Sequence, residues 1–281
     1  MELLVDHVTV AGSNLDRLRA AFASVGLAAD YGGVHSNGIT HMALIGFDDG
    51  SYIELISTVE AGTRAPWWPD HITGDAGPCG WCARATNLAG ECERLKARGV
   101  PVRGPLPYHR DRADGQRVEW DLAFPDSGPP GTVLPFLIED RTPRHFRVEP
   151  SAGVAGTELT GIAAVVIGVR DIAWTVSLYE RVYGWTLRET RPDPQFGATV
   201  THFRGTPVAL AAPNAPAGGL TGRLARFGES PAAILLRSRD LGRSARRFPA
   251  ARTGAWLGRP ALWFDPDQLG GTRLGIIEEN S

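Results

Sequence analysis

A strand-like run, a polar helix cap and an amphipathic helix closed by glycine follow one another in "LVDHVTVAGSNLDRLRAAFASVGL", residues 4–27, and this grammar recurs along the chain. In the first copy the alternating run Leu4 to Ala11 reads as a strand and Ser13 or Asn14 as the N-cap; the helix continues to about Val25, before Gly26. Strands are expected near 28–31, 40–47 and 52–58. In "CGWCARATNLAGECERLKARGV", Asn87 and Gly99 stand at the same offset as Asn14 and Gly26, and "VEWDLAF" and "LPFLIED" supply later strands. "IAAVVIGVRDIAWTVSLYERVYGW", capped at Asp171, and "AAILLRSRDLGRSARRF", capped at Asp240, complete the set. One such unit packs a sheet face on its helix and leaves the other face open, so units must pair. The expectation is an α+β protein of four βαβββ modules paired into two domains, 1–148 and 149–281. The boundary should fall in "RTPRHFRVEPSAGVAGTE", residues 141–158, where turn signals cluster, and "APNAPAGGLTG", 212–222, should connect the third and fourth modules.

Composition narrows the class of partner. The chain has 281 residues, 43% hydrophobic, with a formal charge of -2, and no basic run that would recruit nucleic acid or an anionic membrane. Without an apolar stretch of about eighteen residues or a signal-like N-terminus, it is expected to be cytoplasmic. Three cysteines argue against a disulfide framework, and Cys79-x-x-Cys82 runs into a strand rather than opening a redox helix. No phosphate loop, dinucleotide fingerprint or serine nucleophile elbow occurs, so no nucleotide cofactor is expected and the partner is a small molecule.

The four modules resemble the vicinal oxygen chelate superfamily, the glyoxalase, extradiol dioxygenase and bleomycin-resistance fold. Within it the first half is similar to the glyoxalase-like domain family through "LVDHVTV", "GGVHSNGITHMALIGFDDGSYIELI", "GWCAR", "VEWDLAFPD" and "LPFLIED". The resemblance implies two glyoxalase-like domains and a divalent metal (Fe, Mn, Zn, Ni or Co) in a cupped interior, held by a first-strand histidine and a last-strand carboxylate. His7 and Glu54 occupy those positions. Asp49-Gly50 reads as a two-residue hairpin turn, which would place Ile45 opposite Glu54 and His41 on one face with Tyr52 and Glu54. His7, His41 and Glu54 would then form a two-histidine, one-carboxylate metal set. His35, in a loop where the family also carries histidine, is the candidate acid or base. Against a complete site, Gly80 stands where the second module would repeat His7, and Ala164 and Ala233 stand there in the third and fourth. Only Glu278 lies near an expected ligand position in the second half, and His202 reads as structural, so that half looks degenerate as a metal site.

Arg84 lies two alternations from Gly80 and shares its face, where it would orient an anionic substrate group; an ion pair with Glu54 or Glu119 is the plainer alternative. Trp81, Trp120, Phe124 and Phe136 can wall an apolar pocket, with Tyr52, Trp81 and Trp120 the candidate substrate contacts. The adjacent tryptophans of "APWWPDH", residues 65–71, suggest a loop that lids the cup or meets another subunit, and a homodimer would form through that loop or through sheet edges. Two functions fit. One is a metal-dependent isomerase, lyase or dioxygenase acting on a small anionic or oxygen-rich molecule. The other is a metal-free binding protein of the drug-sequestration type.

Overall fold

The computed structural model describes residues 3–112, 114–126, 128–194 and 196–279. In the first half β1 (Val5–Ala11), α1 (Leu15–Ser24), β2 (Asp30–Val34), β3 (Thr40–Gly46) and β4 (Tyr52–Thr58) form one module. A short α2 (Pro69–Thr73) leads to the next: β5 (Gly77–Arg84), α3 (Leu88–Ala97), β6 (Val102–Asp111), β7 (Arg117–Pro125) and β8 (Phe136–Asp140). The second half repeats this as β9 (Leu159–Gly168), α4 (Ile172–Tyr183), β10 (Arg188–Asp193), β11 (Ala198–Phe203) and β12 (Val208–Pro213). After α5 (Gly219–Phe227) come β13 (Ser230–Ser238), α6 (Leu241–Arg247), β14 (Arg252–Trp256), β15 (Arg259–Trp263) and β16 (Leu274–Glu278). The four module helices start at the caps expected from sequence. The side chains of Asn14, Asn87, Asp171 and Asp240 accept from the backbone N–H three residues on, which satisfies donors a helix start leaves open.

Two eight-stranded sheets result, ordered β2-β3-β4-β1-β5-β8-β7-β6 and β10-β11-β12-β9-β13-β16-β15-β14. The identical order is the repeat made visible. In each sheet the first strands of two modules pair antiparallel at the centre, and each pairs in parallel with the last strand of its own module. The fold is α+β, four modules in two sheets. Among the described residues no helix is long and apolar enough to cross a membrane.

Val8, Phe22, Ile45 and Leu95 of the first half lie in one continuous core with Tyr179, Phe203, Phe248 and Phe264 of the second. Polar contacts also cross between halves: Arg94 donates to Val182 O at 2.5 Å and Tyr179 to Val133 O at 2.7 Å. The segment after β8, read as a polar boundary, is not a free tether. Ser151 Oγ accepts from Gly46 N and donates to Leu44 O, both at 3.1 Å, and Arg147 and Val148 are buried. The expected connector 212–222 likewise ends in the first turn of α5, whose Arg223 reaches back to Ala76 O and Pro78 O.

His71 of α2 sits at this junction, its ring stacked 5.2 Å from Phe227 and its Nε2 3.4 Å from Ser230 Oγ. Burial first, then the charge of Arg223, pushes His71 down to about 4. The folded state therefore keeps His71 neutral while the unfolded chain protonates it near its ordinary value of about 6.5. This contribution to stability is complete above that value and is lost as pH falls towards 4. Replacing His71 by Gln should flatten the fall of Tm between those limits relative to the wild type, as measured by calorimetry at a series of pH values; parallel curves would refute the assignment.

Candidate active site in the first cup

Strand β1 sends Val8 and Val10 to the core and His7, Thr9 and Ala11 to the concave face. Opposite β5 its register shifts between Val5 and His7, leaving Asp6 as the extra residue of a bulge. A bulge re-aims side chains, and here it sets the Asp6 carboxylate against the neighbouring imidazole, Oδ1 to His7 Nδ1 at 2.7 Å. Asp6 is fully buried. Arg147 meets it through two contacts of 3.0 Å, and Arg144 Nη1 lies 2.5 Å away. Burial alone would raise the Asp6 carboxyl, but Arg147, the bond from His7 and Arg144 hold it well below the usual carboxylate range. An ionised Asp6 can only accept, so the proton on that edge belongs to His7 Nδ1 and the ring presents Nε2 to the cup.

Glu54 of β4 receives that nitrogen. His7 Nε2 lies 3.5 Å from Oε2, His35 Nε2 lies 3.1 Å from Oε1, and Thr9 Oγ1 donates to Oε2 at 3.2 Å. Burial works to raise the Glu54 carboxyl, but the His35 bond and the charges of His35 and His7, with Thr9, outweigh it and hold it at about 2. His35 is fixed on its other side by Thr40 Oγ1, 2.9 Å from Nδ1. Tyr52 stacks on His7 at 4.6 Å and accepts from Arg147 at 2.8 Å, and Phe136 meets the same imidazole edge-on at 5.3 Å. These groups line a cavity of about 250 Å³ that Trp67, Trp68, Tyr108, Trp120 and Leu122 continue as an apolar wall.

Several residues named from sequence sit elsewhere. Phe47 N bonds to Ser51 O and Gly50 N to Phe47 O, both at 2.9 Å, so the β3–β4 turn has three residues, closed by Gly50 at φ +75. The extra residue moves Leu44, not Ile45, opposite Glu54. A one-residue slip exchanges the faces of a strand. His41 therefore leaves the cup for the helix side, its ring 6.1 Å from Tyr31, and Met42 and Leu44 face the cavity. Arg84 does not line the cavity either. Its Nη2 donates to Asp49 O at 2.9 Å, and Nε lies 3.7 Å from Asp6, a partner outside the expected pair of glutamates. Trp81 is fully buried among the helix-side residues with its indole donating to Val133 O, whereas Tyr52, Trp120 and His35 do border the cavity.

Asp6, Arg110, Asp140 and Arg147 escaped the sequence reading. Asp6 would point to the core by alternation, and the arginines lie in a strand edge and a turn-rich segment with no local signal. The tryptophan loop packs within the chain: Trp67 lies against Phe124 and Phe136, and Trp68 donates to Pro130 O at 2.8 Å. Trp68 also accounts for Gly80, because a Cβ there would come within 2.4 Å of the indole ring. The place where the second module would repeat His7 is thus taken by Trp68. In the second half Phe196, Trp256 and Trp263 fill the concave face among alanines. His202 is spent on Thr206 O, and Glu278 is exposed.

Among the described residues, the one group of three possible ligand atoms lying within 4.8 Å of one another is Asp6, His7 and Cys82. It is a poor metal site, since two guanidinium groups engage Asp6 and burial pushes the Cys82 thiol up, keeping it protonated. Gly80→Ala should force Trp68 out, lowering stability by about 1–3 kcal/mol and shifting indole fluorescence to the red. In a Trp68→Ala background the same change should cost almost nothing, and equal losses in both backgrounds would show that the contact does not matter.

A family model described as a glyoxalase-like domain matches residues 5–183. A search of curated proteins finds no match. Among solved structures, a hypothetical protein from Staphylococcus aureus is 15% identical with a TM-score of 0.64, covering 99% of this chain and 100% of that one. A mutant of 4-hydroxymandelate synthase from Streptomyces coelicolor is 11% identical with a TM-score of 0.61, covering 100% and 93%. Methylmalonyl-CoA epimerase from Mycobacterium tuberculosis, 19% identical, covers 46% of this chain and 93% of its own with a TM-score of 0.39. With more than half of its length matched by that model and its modules paired as described, the chain belongs to the glyoxalase-like domain family of the vicinal oxygen chelate superfamily.

Proposed function

We propose that the first cup is the active site of a metal-dependent enzyme, an isomerase, lyase or dioxygenase, acting on a small oxygen-rich or anionic molecule. The observation that carries this reading is the convergence of two imidazole nitrogens on the two oxygens of one buried carboxylate, His7–Glu54–His35, at the wall of a largely apolar cavity. His35 thereby takes the place expected for His41.

The donor types suit a divalent first-row cation, each imidazole standing on a different oxygen of Glu54. His7 Nε2 and an ionised carboxylate oxygen face each other at 3.5 Å, an arrangement that calls for a positive charge between them, a proton or a metal ion. Two imidazoles and a carboxylate are the ligand types such ions take, with Asp6 as the outer carboxylate that orients a metal-binding histidine. A bound metal would act as a Lewis acid on adjacent substrate oxygens. The chain's own contribution is to hold the donors: Asp6 fixes the His7 ring, Thr40 fixes His35, Thr9 steadies Glu54, and the aromatic wall gives the ligand an apolar surface.

One observation favours the metal-free binding alternative. The second module offers Gly80 beneath Trp68, and Phe136 and Ile138 on β8, with no donor among them. Elemental analysis of untagged protein separates the two. Near-stoichiometric metal is expected in the wild type and in His41→Ala, with affinity lower by roughly tenfold or more in folded His7→Ala, His35→Ala and Glu54→Gln. No metal after reconstitution with Fe(II), Mn, Ni, Zn and Co would sink the enzyme reading in favour of the binding protein.

A further inference from the structure

Arg110 of β6 is buried to within 5% of full burial, yet among the described residues no carboxylate lies within ion-pair reach of it. Its Nη2 donates to Arg147 O at 3.0 Å, its Nη1 faces Met42 Sδ at 3.9 Å, and Nε has no partner. The neighbouring guanidinium groups are differently placed. Arg147 is shared between Asp6 and Asp140, and Arg144 and Arg84 both reach Asp6. Glu54, the remaining acid in the cup, is taken up by His7, His35 and Thr9.

The guanidinium group has a made place. It reaches across from the edge strand β6 to the opposite edge strand β2, where a Cβ on Gly32 would stand 3.1 Å from Nη1. It borders the same cavity as His7, His35 and Glu54. A buried cation without an ion-pair partner is costly; burial works against the Arg110 charge, and Glu54 and Tyr52 favour it only through space, beyond ion-pair reach. Its complement is an anion brought in by the ligand. The match to a carboxylate is geometric, since a guanidinium fork takes a planar carboxylate in bidentate fashion. A phosphate dianion would want a second free cation, and Arg147 is already fully engaged.

We propose that Arg110 anchors the carboxylate of the substrate. The substrate class is then a small monocarboxylic acid, its apolar body against Trp67, Tyr108 and Phe136 and its reacting oxygens towards His7, His35 and Glu54. A cavity of about 250 Å³ suits such a molecule, being smaller than the pockets of drug-sized ligands. This rests on the reading of the first cup as the binding site.

The test is calorimetric titration of the full chain with three acids (benzoate, phenylacetate and 3-phenylpropanoate), with their neutral amides as isosteres, and with inorganic phosphate. The best acid should bind the wild type at least tenfold more tightly than its amide. Arg110→Met should remove that preference while leaving amide binding within about twofold, and Arg110→Lys should keep part of it. Trp67→Ala should weaken acid and amide alike. Arg110→Met loses the bond to the Arg147 carbonyl but breaks no ion pair, so its Tm should fall by about 5 °C at most. Equal affinity of acid and amide, an unchanged preference in Arg110→Met, or binding of phosphate in place of the acids would overturn the proposal while leaving the cup reading intact. Failure of every probe to bind, or acid and amide binding unaffected by Trp67→Ala, would remove the cup reading and the proposal with it.

Discussion

The site hangs on one buried carboxylate. Asp6 has no access to water, and its charge is met by Arg147 in bidentate fashion, by Arg144 and by His7. Removing one partner from such a group leaves charge uncompensated in the interior, at a cost of about 3–5 kcal/mol. The geometry is therefore closely held. Arg147 and Arg144 belong to the segment after β8, so their bonds to Asp6 pull that segment onto β1 and close the floor of the cup. The same carboxylate sets the His7 tautomer, which decides what Nε2 offers Glu54. Asp6 lines no part of the cavity, yet the orientation of the ring that does passes through it.

The two halves show how little topology says about chemistry. Both sheets have the same strand order and the same central pairing. In the second, Ala164 and Ala233 stand where charge or metal donors would be, and Phe196, Trp256 and Trp263 pack into the concave face. A cup filled by its own aromatic side chains becomes core. In the first, the tryptophan loop fills only the end over Gly80 and leaves room beside His7 and Glu54. The second half still serves the first, because their helix-side residues form one continuous core. That shared burial helps offset the charged groups held out of water in the first cup.

Elements governed by short-range rules were legible. The caps at Asn14, Asn87, Asp171 and Asp240 follow from residue type and the helical period alone, and the repeated grammar leads to the paired modules. The placement of side chains turned on finer features. Asp49-Gly50 does mark the hairpin, but the loop has three residues rather than two, and that one residue turns His41 outward, so that His35 is the histidine that joins His7 on Glu54. Trp81 and Trp120 look alike in sequence; only strand pairing and the bulge in β1 tell the buried one from the cavity-lining one. The ties from Arg147 to Asp6 span 141 positions, and no local pattern reports a contact of that kind.

A negative wall at Glu54 and a positive group at Arg110 face one cavity without joining in an ion pair, which needs a physical reason. Each is restrained from its own side. Glu54 is held by two imidazoles and a threonine hydroxyl, and Arg110 by the Arg147 carbonyl and the space beside Gly32. Tyr52, Phe136, Leu122 and the tryptophan loop line the same cavity and give it a largely apolar surface. Fixed opposite charges facing one largely apolar cavity produce an oriented field. Preorganisation of that kind costs stability in the empty protein and acts on a ligand without further rearrangement. On the proposed reading, one donor cluster and one guanidinium without an ion pair, set around an apolar cavity, would receive a molecule in a single orientation, and the large core shared with the second half supports that arrangement.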